Sequence, residues 1–353
     1  MAGQGFYNQH SLHQRNVAAA GTEMLRRAAS SVGDELRLSR GLDGSQPADP
    51  LVLVDYGSSQ GANSVRPMRT AIDAFRATEG HAGWPVTVVH VDLPENDWTS
   101  LFELVDDPGR SYHGGDEGVF SLAAGISFFE QALPARTVGL GWCSMAAHWV
   151  VDSGCSLDTH IFPSIAEGTD RQCWSSAAGD GWRRFVAHRR SELRRGGQLV
   201  VNVPVASPRY LPFFDLFEGC AVRARDEGLV TPGEFASIVV PIFHQTKDEL
   251  LGPITRSETE LEIVEIEGQV VADPSYATYA HDGDRQGFAD RATATARAWS
   301  EACFGQALSP DRSEEERRDV LDALYSRLHR CLATDPDAGR FDWEMMIVRL
   351  RRR

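Results

Sequence analysis

Apolar residues follow two rhythms along this chain. LVLVDYG at 51–57 and VTVVHVDLP at 86–94 are short runs rich in β-branched side chains and bounded by turn formers, the pattern of strands covered on both faces. Between them, SVRPMRTAIDAFRATEG carries Val65, Met68, Ile72 and Phe75 at the three-to-four spacing of an amphipathic helix. The three pieces predict a βαβ unit with a right-handed crossover. Further strands are predicted at 137–142, 198–205, 261–269 and 343–350, and helices at 181–195, 287–304 and 313–332. This alternation predicts an α/β fold with a doubly wound sheet. From 205 to 255 the texture changes to Pro, aromatic residues and short helical pieces without a clear strand. That stretch reads as a helical cap over the ligand edge of the sheet. The expected organisation is a core over 1–204, the cap over 205–255, and the rest of the sheet with further cap helices over 256–353.

Charge and cysteine content narrow the function. Lys and Arg number 35 against 50 Asp and Glu, a formal net charge of −15 that repels a phosphate backbone and argues against nucleic-acid binding. The basic runs RRFVAHRRSELRR at 183–195 and RRR at 351–353 read as the solvated face of a helix and a solvated tail. Six cysteines at 143, 155, 173, 220, 303 and 331 form no CxxC pair and no zinc spacing, so they are expected to be reduced and structural. No apolar run approaches the roughly 18 residues a membrane span needs, and the first residues lack the apolar core of a signal peptide. A cytoplasmic enzyme with no membrane partner is the expectation.

The turn after the first strand carries the chemistry. A dinucleotide site places G-x-G-x-x-G there, so that backbone N–H groups meet a pyrophosphate. Here the order is Asp55, Gly57, Gly61, and a carboxylate sits where an anionic phosphate would be. That charge suits a ligand with a positive amino group, such as S-adenosylmethionine (SAM). Asp92 ends the next strand, where a carboxylate can accept hydrogen bonds from two ribose hydroxyls.

Five motifs in order resemble the SABATH methyltransferases, which methylate carboxyl groups of small acids and, in one branch, ring nitrogens. GQGFYNQHSLHQRNV at 3–17 resembles the family's opening G-x-x-S-Y-x-x-N-S-x-x-Q, and DYGSSQGAN at 55–63 resembles D-L-G-x-S-S-G-P-N. VDLPENDWTSLF at 91–102, GISFFEQALP at 125–134 and CSMAAHWV at 143–150 resemble the three motifs that follow. The resemblance implies a class I SAM-dependent methyltransferase fold, Rossmann-like, with a mostly parallel seven-stranded sheet, a helical cap and often a homodimer. It implies that Tyr7, Ser11, Asp55, Gly57 and Asn63 line the methionine end of SAM, and that Asp92 and Leu93 flank the ribose and adenine. Ser127, Phe128 and Ser144 would complete the adenosine pocket. Gln14, His148 and Trp149 would hold the substrate carboxylate, with Met145 and Phe243 in the substrate pocket.

Met145 stands where the family commonly has Tyr, which leaves a flexible apolar surface in place of a hydroxyl. The Asn and acidic residues by which some members of the resembled family hold magnesium have no counterpart around VPVASPRYLPFF, so no metal is expected. A carboxylic acid is already ionised at neutral pH, so its methylation needs placement and no general base. The expected reaction is transfer of methyl to a small or medium apolar acid, aromatic or fatty. The rivals are methylation of a nitrogen or hydroxyl on the same scaffold, and a silent SAM-binding module.

Overall fold

A computed structural model describes residues 8, 12–39, 49–115, 118–151, 153–157, 159–255 and 260–353. Tyr7 and Ser11 lie outside the described residues. Seven strands form one sheet in the order β3-β2-β1-β4-β5-β7-β6: β1 (Leu51–Tyr56), β2 (Val86–Asp92), β3 (Val119–Gly125), β4 (Val138–Ser144), β5 (Leu193–Pro204), β6 (Leu261–Val271) and β7 (Trp343–Arg352). Strands β1 to β5 pair in parallel, and β7 runs antiparallel to both β5 and β6. Central strands β1, β2 and β4 are buried almost throughout, as their unbroken apolar runs require. Helices α1 (Leu12–Ser39), α2 (Val65–Arg76), α3 (Trp98–Asp106) and α4 (Gly168–Glu192) accompany this half of the chain.

Strand β3 escaped the sequence pattern. It is an edge strand of small residues, VFSLAAG, with Phe120 and Leu122 exposed, so it lacks the double-sided burial that marks its neighbours. Helix α1 was hidden differently: Val17, Met24, Leu25, Ala28 and Val32 are all buried, but alanines and arginines between them blur the stripe.

Helices α5 (Leu211–Asp226), α6 (Pro232–Ser237), α7 (Lys247–Thr255), α8 (Pro274–Asp282), α9 (Arg285–Ala307) and α10 (Glu314–Thr334) make up most of the rest. One apolar cluster joins Phe213, Phe214 and Phe217 of α5 to Phe288, Trp299 and Phe304 of α9 and to Leu324, Tyr325 and Leu328 of α10. It closes on Phe341, Trp343 and Met345 at the start of β7. The cap layer is therefore assembled from two separated stretches. Helix α7 packs elsewhere: Leu250 and Ile254 join the cluster of β5 and β7, and Trp182 Nε1 donates to Leu250 O at 2.7 Å. A capping box at Ser313 and Glu316 starts α10, and Arg312 ties the preceding turn to Glu234 of α6 at 2.6 Å.

Two readings are corrected by the packing. The basic runs are not wholly solvated. Arg189 is fully buried against Glu192, with two N–O contacts of 2.8 Å, because the end of α4 passes under the loop that follows β3. Arg351 and Arg352 belong to β7; Arg352 pairs with Glu260 at 2.6 Å and donates to Leu193 O at 2.7 Å. Nor are all six cysteines reduced: Cys155 and Cys173 are joined in a disulfide that ties the loop before α4 to its first turns, a proximity created by the fold and absent from the spacing. Among the described residues, no helix is long and apolar enough to cross a membrane.

Candidate active site

The carboxyl ends of β1, β2, β3 and β4 open together into one cavity of about 330 Å³ between sheet and cap. Its two halves differ in chemistry.

The acidic half is built from the turns after the strands. Gly57 sits at φ +87°, and a Cβ there would lie 2.4 Å from the Ala146 Cβ, so the turn requires glycine. The left-handed Ser59 (φ +49°) aims its N–H at Asp92 Oδ2, 2.7 Å away, while Leu93 N–H donates to Oδ1 at 2.8 Å. Burial still raises the Asp92 carboxyl above its ordinary pKa, the two backbone donors opposing it. Asn96 Nδ2 holds the turn from below by donating to Ser59 O at 2.8 Å. On β1, Asp55 lies level with His90 of β2, and its Oδ2 is 3.2 Å from His90 Nδ1.

Ser127 and Phe128 come from the loop after β3, which is held by a buried charge network. Arg189 donates to Phe128 O and to Glu130 O (2.7 Å), and Glu192 accepts from Ala132 N (2.6 Å), Leu133 N (3.0 Å) and Tyr56 O–H (2.6 Å). The guanidinium also lies over the Tyr56 ring, 4.2 Å from its centroid. A buried ion pair contributes when its remaining donors and acceptors are filled, as these are.

The aromatic half hangs on a short ladder between two loops. Phe243 N–H donates to His148 O at 2.9 Å and Val150 N–H to Pro241 O at 2.8 Å, with Trp149 paired to Ile242. This turns His148 and Trp149 to the cavity beside Met145, which is itself left-handed at φ +55°. Gln14 enters from the first turn of α1. Burial pushes the His148 imidazole down to about 3, and its ring stacks on His244 at 5.5 Å, also held well below the ordinary value by burial. Gln14 Oε1, His148 Nδ1 and Trp343 Nε1 are buried without partners among the described residues, which a polar ligand would supply.

The profile of the family described as SAM dependent carboxyl methyltransferase matches residues 2–353. The chain belongs to that family. The methyltransferase is 24% identical over 307 residues to the farnesoic acid carboxyl-O-methyltransferase of Arabidopsis thaliana, a match covering 79% of this chain and 82% of that one. It is 26% identical over 257 residues to the Fusarium methyltransferase LUC1, covering 71% of this chain but only 65% of that protein's length. A solved structure, loganic acid methyltransferase with S-adenosylhomocysteine (SAH), shares the fold at a TM-score of 0.77 and 18% identity, covering 99% and 97% of the two chains.

The methyltransferase uses SAM, and the acidic half fits it: two carboxylates at strand ends, a turn that tolerates no side chain at Gly57, and no Lys or Arg among the described residues that line the cavity. Of the residues named from sequence, Gln14, Asp55, Gly57, Asn63, Asp92, Leu93, Ser127, Phe128, Ser144, Met145, His148 and Trp149 all line this one cavity. Phe243 does not. It is buried with Val150, Leu157 and Trp174, and the Arg171 guanidinium lies 5.4 Å from its ring centroid. The sequence reading missed His90 and Arg189 behind the acidic half, and Trp299, Phe341 and Trp343 in the aromatic half. Trp299 and Trp343 lie on the helix and strand predicted at 287–304 and 343–350, but nothing in the pattern marked them as cavity residues. Among the described residues, no group of three or more His, Cys, Asp or Glu is placed to hold a metal.

Proposed function

We propose that the protein transfers the methyl group of SAM to the carboxylate of a small or medium apolar carboxylic acid, aromatic or fatty, giving a methyl ester without a general base. The observation that carries this reading is the uncharged acceptor half, where Gln14, His148 and Trp149 face the cavity among apolar and aromatic walls. With burial holding His148 near 3, its imidazole is neutral at physiological pH.

SAM, when bound, supplies a methyl group on a sulfonium, an electrophile of positive charge. Asp55 and Asp92 would hold its ammonium and ribose ends, and Ser127, Phe128 and Ser144 its adenosine. Gln14 Nε2, Trp149 Nε1 and one His148 N–H would orient the acid's carboxylate, which arrives ionised. The aromatic walls exclude water that would otherwise solvate the nucleophile. Opposite charges attract before transfer and vanish during it, so strong cationic donors would hold the ground state and slow the reaction. Neutral donors orient without that cost.

A hydroxyl acceptor would need a base, and a histidine held near 3 is a poor one at neutral pH. The Arabidopsis relative named for farnesoic acid agrees with an apolar acid. The test is transfer of labelled methyl from SAM to a panel of aromatic and long-chain acids, followed by alkali. Label released as methanol supports the ester. An alkali-stable product assigns the acceptor to nitrogen or hydroxyl, and binding of SAH without transfer to any acceptor assigns a silent module.

A further inference from the structure

Behind Asp55 runs a buried chain of polar side chains that the methylation scheme does not use. His90 on β2 has no exposure, and its two ring nitrogens meet different partners: Nδ1 faces Asp55 Oδ2 at 3.2 Å, and Nε2 faces the Tyr112 hydroxyl at 2.9 Å. The same hydroxyl lies 2.5 Å from Ser121 Oγ on β3, which in turn lies 2.6 Å from His113 Nε2. A histidine inside a central strand, where its neighbours are Val88, Val89 and Val91, exchanges apolar packing for these two contacts.

For a neutral His90, the directions of the hydrogen bonds follow from elimination. Burial raises the Tyr112 phenol well above its ordinary value, so it stays protonated and donates once. If it donated to Ser121, His90 would carry its proton on Nε2 and present a lone pair to the Asp55 carboxylate, two acceptors face to face in a dry site. With Tyr112 donating to His90 Nε2, His90 Nδ1–H donates to Asp55 Oδ2, Ser121 donates to Tyr112, and His113 donates to Ser121. Each group is then satisfied.

We propose that His90 is a positioning residue for the cofactor: it holds one oxygen of Asp55 through Nδ1–H and so presents the other to the ammonium of SAM, with Tyr112 and Ser121 fixing its tautomer. This rests on the role assigned to Asp55 above. Calorimetric titration separates the two claims. SAH carries the ammonium and 5′-methylthioadenosine lacks it, so only SAH senses the carboxylate.

His90→Leu is expected to weaken SAH about tenfold, the cost of a lost charge-assisted hydrogen bond, and to leave 5′-methylthioadenosine within about twofold. His90→Asn, which keeps a donor near the Nδ1 position, should recover most of the SAH affinity. Equal weakening of both ligands, or of neither, overturns the proposal. If H90L does not fold, Tyr112→Phe carries the same comparison, with a smaller loss confined to SAH supporting it and an unchanged SAH affinity refuting it. Asp55→Asn is the control: should D55N fail to separate the two ligands, the assignment of Asp55 itself falls, whereas D55N separating them while H90L does not defeats His90 alone.

Discussion

Acid should unfold this protein through histidines that carry no charge in the native state. Burial holds His148 down at about 3 and His13 at about 4, both from an ordinary value of 6.5. A base with a depressed native pKa contributes stability that is present above the unfolded value and lost as pH falls toward the native one, because only the unfolded chain takes up the proton. Between pH 7.5 and 5.0 each of the two costs about 2 kcal/mol, roughly 4 together, and His244 acts in the same direction. Asp92 and Asp273, whose carboxyls burial raises, act in the opposite sense, so the total profile is less informative than a difference. The difference to measure is wild type against His148→Phe in urea denaturation at both pH values, read by circular dichroism. Wild type is expected to lose about 2 kcal/mol more than H148F on acidification. Parallel profiles for the two proteins would refute a buried neutral His148, and with it the uncharged acceptor half.

Gly57→Ala places a methyl 2.4 Å from the Ala146 Cβ on a backbone at φ +87°, a conformation costing an L residue about 1–2 kcal/mol before the clash. The turn must shift, and calorimetry should show SAH binding weakened at least about tenfold while the fold survives; unchanged affinity would remove Gly57 from the cofactor cradle. The disulfide of Cys155 and Cys173 closes a loop of 18 residues, worth about 3 kcal/mol by loop-closure entropy. Thermal denaturation of Cys155→Ser should therefore show a lower midpoint, and reductant should lower wild type to match; a midpoint insensitive to both would mean the bond does not form in solution.

What was legible in the sequence was what repeats along it. Strands β1, β2, β4, β5 and β7 stood out because buried strands in the middle of such a sheet leave unbroken apolar runs. The two edge strands differ: β6 is largely exposed but keeps the β-branched Ile263, Val264 and Ile266, whereas β3 is mostly small residues with one side to solvent and was lost. Asp55, Gly57 and Asp92 were legible because a turn needing glycine and a carboxylate leaves a local signature, whereas the other cavity residues named from sequence came from the resemblance to the SABATH motifs. His90 and Arg189 left none. A polar residue inside an apolar strand, or an arginine within a basic helix, is read by default as an accident or as surface, and only the register of β1 against β2 and the passage of α4 beneath the post-β3 loop make them interior groups. The disulfide and the pairing of 148–150 with 241–243 are long-range in the same way.

Those invisible groups share an electrostatic logic. Arg189 is a full positive charge with no exposure near the cofactor loop, and alone it would repel a sulfonium and attract the acceptor carboxylate. Glu192 cancels it at 2.8 Å, and Tyr56 and two backbone N–H groups fill the remaining acceptors, so the pair acts at a distance as a dipole. In the arrangement proposed above, a neutral His90 would do the complementary work for Asp55, taking up one carboxylate oxygen through Nδ1–H. In the proposed arrangement, the net negative charge at the donor end then comes from Asp55 and Asp92, and the acceptor end is uncharged. A reaction that destroys a cation and an anion together gains least from extra charge, and the buried network behind this cavity removes it.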